Sequence, residues 1–145
     1  MTNLVVTNVV VHLLGLKSES LRAYYATLHM RAVLLDITSV LWGTLLAQRI
    51  ATGCVDQIVA AVAIQVVHDV AFGVYLQRST LTSSPTMSLF RAYAKEHGKG
   101  ILGVDATFMV MSVVLSRVFA TWNSRDTMLL GTVVLYTHLL FLDAL

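Results

Sequence analysis

The sequence predicts an all-α integral membrane fold: about four transmembrane helices as two antiparallel hairpins, with a short interfacial amphipathic helix between them. Two observations carry this reading. Of 145 residues, 57% are apolar and only 12% charged, where ordinary soluble domains have about 45–50% and about 25%. Mean hydropathy is +0.75, and so short a chain has too much surface for its volume to hide that apolar area from water. Lipid must be part of its solvent.

The first 30 residues read as an interfacial or partner-binding segment, and residues 31–145 as a four-helix transmembrane domain. Leu4 to Leu16 is largely apolar, but no Lys or Arg precedes it and no small-residue cleavage site follows. A secretory signal needs both. About 13 residues are also too few to span a bilayer, which takes roughly 20. The Val-rich run at 4–11 suits a strand or an interfacial segment, and a strand there could add to a partner's sheet edge. Residues 18–30, with Leu21, Tyr24, Tyr25 and Leu28, read as an amphipathic lead into the first span.

The spans are expected at about 31–51, 56–76, 100–122 and 126–144. Each is about 20 residues, the length that crosses ~30 Å of hydrocarbon at ~1.5 Å per residue. Their β-branched content would suggest strands in water, but in hydrocarbon an apolar run must satisfy its own backbone, and a helix does so. Short links make hairpins of spans one and two and of spans three and four. In the long connection, residues 78–85 form a polar turn, Ser84 is an N-cap, Pro85 opens a helix and Gly98 closes it. Met87, Phe90 and Ala94 share one face of this interfacial helix at about 85–98. Trp42, Gly43 and Gly73 are expected to permit close helix packing.

Lys17, Arg22, Arg31, Arg78, Arg91, Lys95 and Lys99 fall on one side of this topology, and Arg49, Arg117 and Arg125 on the other. The positive-inside rule then puts both termini on the cytoplasmic side. Arg91, Lys95 and Lys99 form a face for lipid head groups or for a partner.

Ionisable residues inside spans are costly and are candidate sites. Asp36, Asp69, Asp105 and His138 all fall roughly 8–10 Å deep in the same leaflet at ~1.5 Å per residue, with His68 beside Asp69. Asp36 and Asp105 stand 69 residues apart, each followed two positions on by Thr (Thr38, Thr107). Arg49 and Arg117 are 68 apart, and His68 and His138 are 70 apart. The spacing suggests two tandem hairpins related by an axis along the membrane normal. Two roles fit the layer: cross-helix hydrogen bonding that sets register, or a proton or ion relay of a channel or carrier.

Other functions find little support. The sequence carries no HExxH, GxSxG, P-loop or GxGxxG pattern, so neither an enzyme nor a cofactor is expected. The single Cys54 excludes an internal disulfide and a cysteine zinc site. A net charge of +2 is too small to argue for nucleic acid.

Arg31 to Asp36 (RAVLLD), Val67-His68-Asp69, Phe90 to Glu96 (FRAYAKE) and Gly100 to Asp105 (GILGVD) together resemble a family of small multi-span membrane proteins of nucleocytoplasmic large DNA viruses. This is the group that contains mimiviruses, chloroviruses and iridoviruses. The similarity covers roughly residues 30–140. It implies a structural protein of the virion internal membrane, anchoring that membrane to the capsid or to minor capsid proteins, and it supplies no catalytic residues. An accessory subunit of a cellular membrane complex shares nearly all the same features.

Overall fold

A computed structural model describes residues 18–80 and 84–143. The Val-rich run at 4–11, with the strand or interfacial segment expected there, lies outside the described residues. Among those described there are six helices and no strand: α1 (Glu19–Leu28), α2 (Met30–Ile50), α3 (Cys54–Arg78), α4 (Pro85–His97), α5 (Gly100–Phe119) and α6 (Ser124–Asp143). Three of them, α2, α3 and α5, are long and apolar enough to cross a membrane.

Local chemistry sets the short helices. Ser18 Oγ accepts the Leu21 N–H at 3.1 Å and opens α1. Ser84 does the same for Met87 at 3.5 Å, and Pro85 takes the first position of α4, where its missing N–H is no loss. Asn123 and Asp126 open α6 reciprocally: Asn123 Oδ1 accepts the Asp126 N–H at 2.9 Å, while its Nδ2 donates to the Asp126 carboxylate at 2.7 Å.

The long helices α2, α3 and α5 pack on one another in every pairing. The connection 51–53 turns α3 back along α2. Arg117, near the end of α5, donates to Gln57 Oε1 near the start of α3 at 2.8 and 3.2 Å, and to the Thr52 carbonyl at 2.8 Å. Helix α5 is therefore antiparallel to α3 and parallel to α2. Ala47, Ala61, Met109 and Val113 are fully buried between them, with Val40, Ile58 and Ile64 packed around.

Gly43 makes this packing close. A Cβ built there would lie 2.5 Å from Met109 Cε. Close packing was also expected at Trp42 and Gly73, and both expectations are corrected. Trp42 is 62% exposed, and a Cβ at Gly73 would meet nothing within 4 Å.

Helices α1 and α4 pack against each other across one end of the bundle, where α2 begins, α3 ends and α5 begins. We call this the capped end. Tyr24, Tyr25, Ala32 and Val33 form a second buried cluster there, against Leu21, Ile37, Leu89 and Phe90. Helix α6 has the length of a span, but among the described residues it makes no extensive packing with another helix. Its Met128, Leu129, Val133 and Tyr136 are exposed.

The Gly43 contact has a measurable consequence. Gly43→Ala should be nearly neutral, because losing a helical glycine gains about 1 kcal/mol and the Met109 methyl can yield to one carbon. Gly43→Leu adds a branched side chain to a filled space and should cost about 1–3 kcal/mol. Thermal unfolding in detergent should show that loss, reduced in a Met109→Ala background. An equal loss in both backgrounds would mean that Met109 is not the obstacle.

Candidate functional site

Asp36 sits two turns into α2, where the helix has no free N–H to offer its carboxylate. Its donors come from α1. The Tyr25 hydroxyl donates to Asp36 Oδ2. The Tyr24 hydroxyl lies 3.1 Å from Asp36 Oδ1 and 3.3 Å from the Ala32 carbonyl, with one proton to give. Burial, then the Asp36 carboxyl, push both phenols well above the ordinary tyrosine range. They stay donors at any working pH, and α1 is fastened to the start of α2.

Asp69 and Asp105 make the second part of the layer. Asp69 Oδ1 accepts from Gln65 Nε2 at 2.7 Å, and His68 Nδ1 lies 3.2 Å away. Asp69 Oδ2 is buried and has no hydrogen-bond partner among the described residues. Asp105, on the facing helix α5, lies within electrostatic reach of Asp69. Tyr93 of α4 stands over the layer within the electrostatic reach of Asp105, Asp36 and Asp69; burial first, then these carboxyls, push its phenol upward.

Of the residues singled out in sequence, Asp36, Asp69 and Asp105 thus all lie within electrostatic reach of Tyr93. The His68 side chain touches Asp69 but is 54% exposed. His138 lies within α6, and its side chain is outside the described set. Arg91 donates to the Leu76 carbonyl at 3.3 Å and to that of Ser79 at 2.8 Å, closing the carboxyl end of α3. Lys95 is exposed one turn further along α4, and Lys99 is exposed in the turn before α5. Among the described residues no three His, Cys, Asp or Glu side chains converge as metal ligands.

Sequence reasoning missed Tyr24, Tyr25, Tyr93 and Gln65. A signal for two of them was present. Arg22-Ala23-Tyr24 recurs as Arg91-Ala92-Tyr93 at the 69-residue spacing of Asp36 and Asp105. The backbone repeats as well. His29, between α1 and α2, has φ 47° and ψ −127°, and Gly98, between α4 and α5, has φ 53° and ψ −132°. They too are 69 apart. A short helix, a positive-φ turn and a long helix with an aspartate two turns in therefore occur twice.

Glycine adopts that turn freely, whereas a side chain is strained there by about 1–3 kcal/mol. Such strain persists only where the surroundings impose it. At His29 the two tyrosine–Asp36 bonds straddle the turn. His29→Gly should therefore raise the unfolding midpoint, by about 1 kcal/mol or somewhat more once glycine's entropy is deducted. It should also lessen the cost of Tyr25→Phe. Full additivity of the two changes would show that the tyrosines do not hold the turn.

Glu96 gives a pH test of the α1–α4 contact. The Ser20 hydroxyl and the Ser20 N–H, which donates at 2.9 Å, hold its carboxyl down at about 2 against an ordinary 4.5. A depressed folded value means that the contact contributes fully above 4.5 and is lost as pH falls toward 2. The Ser20 amide protection factor, corrected for intrinsic exchange, should fall over that window in the native chain and stay flat in Glu96→Gln. The change should be small, because Glu96 is exposed and solvent screens it.

No family model, curated protein or solved structure matches the chain.

Proposed function

We propose that the chain is a non-enzymatic, four-span integral membrane protein with a structural role, its capped end meeting a protein layer. The observation that carries this is how the polar layer is used. Asp36 spends both oxygens on fastening α1. Below the layer α2, α3 and α5 close on Ala47, Ala61, Met109 and Val113, with Met109 seated against Gly43. A polar layer that stops at a close-packed plug serves architecture better than transport.

Lipid as solvent accounts for the exposed Leu34, Leu41, Trp42 and Leu45 of α2 and for Val59, Val67 and Val70 of α3. The fourth span is α6, twenty residues with exposed Met128, Leu129 and Val133. It corresponds to α3 in the sequence repeat, and we read α5 and α6 as a second hairpin on that ground. Arg22, Arg31, Arg78, Arg91, Lys95 and Lys99 belong to the capped end, and Arg49, Arg117 and Arg125 to the other. This balance supports a cytoplasmic capped end, with both termini there. With the resemblance to membrane proteins of large DNA viruses, the reading is an anchor between a particle's internal membrane and its capsid or minor capsid proteins.

A second reading rests on Asp69 Oδ2, buried without a partner beside Asp105. Such a pair can exchange a proton, and His68 Nδ1 lies 3.2 Å from Asp69 Oδ1. Its scope is a relay confined to one leaflet unless the plug opens.

Quantitative mass spectrometry of purified particles, before and after mild detergent, tests the structural role. The protein should be present in proportion to shell proteins and remain with the shell after stripping. Trace amounts lost with the lipid would overturn it. Liposomes carrying the chain should leak protons no faster than empty ones; flux abolished by Asp105→Asn in a folded protein would instead establish the relay.

A further inference from the structure

An open cleft of about 600 Å³ lies at the capped end between the last turns of α3 and the face of α4. Gly73, Leu76 and Gln77 line it from α3, Ser79 from the link that follows, and Arg91, Ala94 and Lys95 from α4. We propose that this cleft binds one anionic phospholipid, its phosphate on Arg91 and Lys95 and an acyl chain along α3. The proposal rests on the membrane reading above but not on the structural role.

The cations are arranged for a phosphate. Arg91 directs part of its fork at the Leu76 and Ser79 carbonyls, which fixes the guanidinium over the end of α3. A guanidinium has five N–H donors, so others remain for an anion. Lys95 follows one helical turn later and lines the same cleft. Both stand at the end of the bundle where head groups would lie.

The floor of the cleft fits a hydrocarbon chain. At Gly73 a side chain would meet nothing within 4 Å, so the helix face is open. Gly73 is five residues from the end of α3, roughly 7–8 Å below it at ~1.5 Å per residue. Val70 and Val66 continue the same row downward and are 54% and 36% exposed. A head-group site thus opens directly onto an apolar runway. The cation pair belongs to the second repeat only, since Ala26 stands where that repeat has Lys95.

The test uses the full chain purified in a non-ionic detergent, titrated separately with phosphatidylglycerol, phosphatidylcholine and inorganic phosphate, with bound lipid read by native mass spectrometry. Phosphatidylglycerol should bind with a stoichiometry of one and more tightly than phosphatidylcholine. Lys95→Ala should weaken it roughly fivefold, the attraction of one lysine to an anionic head group, whereas Lys99→Ala, outside the cleft, should change it little. Gly73→Leu should displace the lipid while the melting temperature holds. Equal losses in Lys95→Ala and Lys99→Ala would reduce the site to a general basic surface and overturn the proposal. So would equal binding of the two lipids, or phosphate competing at the same concentration as lipid with Gly73→Leu unaffected. A chain that stays monodisperse without detergent would instead overturn the membrane reading itself.

Discussion

A carboxylate two turns inside an apolar helix must find donors, and the helix that carries Asp36 has none to give. Tyr24 and Tyr25 supply them, and much of the capped end follows from that bond. To bring two consecutive tyrosines onto Asp36, the chain must fold back at residue 29, which puts a histidine in a backbone conformation suited to glycine. With α1 laid down, Tyr24 offers its ring to Phe90 at 5.3 Å, and Phe90 meets Phe72 edge-on at 5.2 Å. These rings join α1, α4 and α3 in one aromatic row. Glu96 then reaches the Ser20 N–H, and Arg91 reaches the open end of α3.

The two repeats solve the same problem differently. In the second, Gly98 takes the turn without strain, and Ala94 stands where the first has Tyr25. Tyr93, the counterpart of Tyr24, lies within electrostatic reach of Asp105, as Asp69 of α3 does. Aligned on His68 and His138, the position of Asp69 is Leu139 in the second repeat. The two repeats are therefore not equivalent: Asp36 faces two phenols, whereas Asp105 has Asp69 within electrostatic reach on a helix whose counterpart carries no acid at that position.

Features that depend on local chemistry were legible in the sequence. Ser84, Pro85 and Gly98 mark the ends of α4 because caps act within a few residues. Counting from the ends of the apolar runs singled out the three aspartates. Their company could not be read that way, since hydrophobic periodicity does not say which side chain from another helix will arrive. Tyr24 and Tyr25 read as the apolar face of an interfacial helix, and their hydroxyls mattered only once α1 was seen to fold back. The break at His29 was hidden for the same reason, being imposed by those bonds and marked by neither Gly nor Pro. Gly43 and Gly73 look alike in sequence, yet one is crowded by Met109 and the other faces a cleft. Packing between helices distinguishes them, and composition does not.

The polar layer and the apolar plug also divide the labour along the bundle axis. Near the capped end, interactions are directional and few: two phenols on one carboxylate, one guanidinium on two carbonyls, one amide on a glutamate. Such bonds specify one arrangement of α1 and α4 and reject sliding, because a shift of one residue leaves charged or polar groups without partners. Toward the middle the contacts are small and dispersive, Ala47 and Ala61 against Met109 and Val113, and there closeness decides the strength. At the far end Arg117 again gathers three oxygen contacts around the first turn of α3. A bundle pinned at both ends and close-packed between them resists the hinge motions that alternating access requires. It keeps one end, with its two surface helices, in a fixed shape, as the anchoring role proposed above requires.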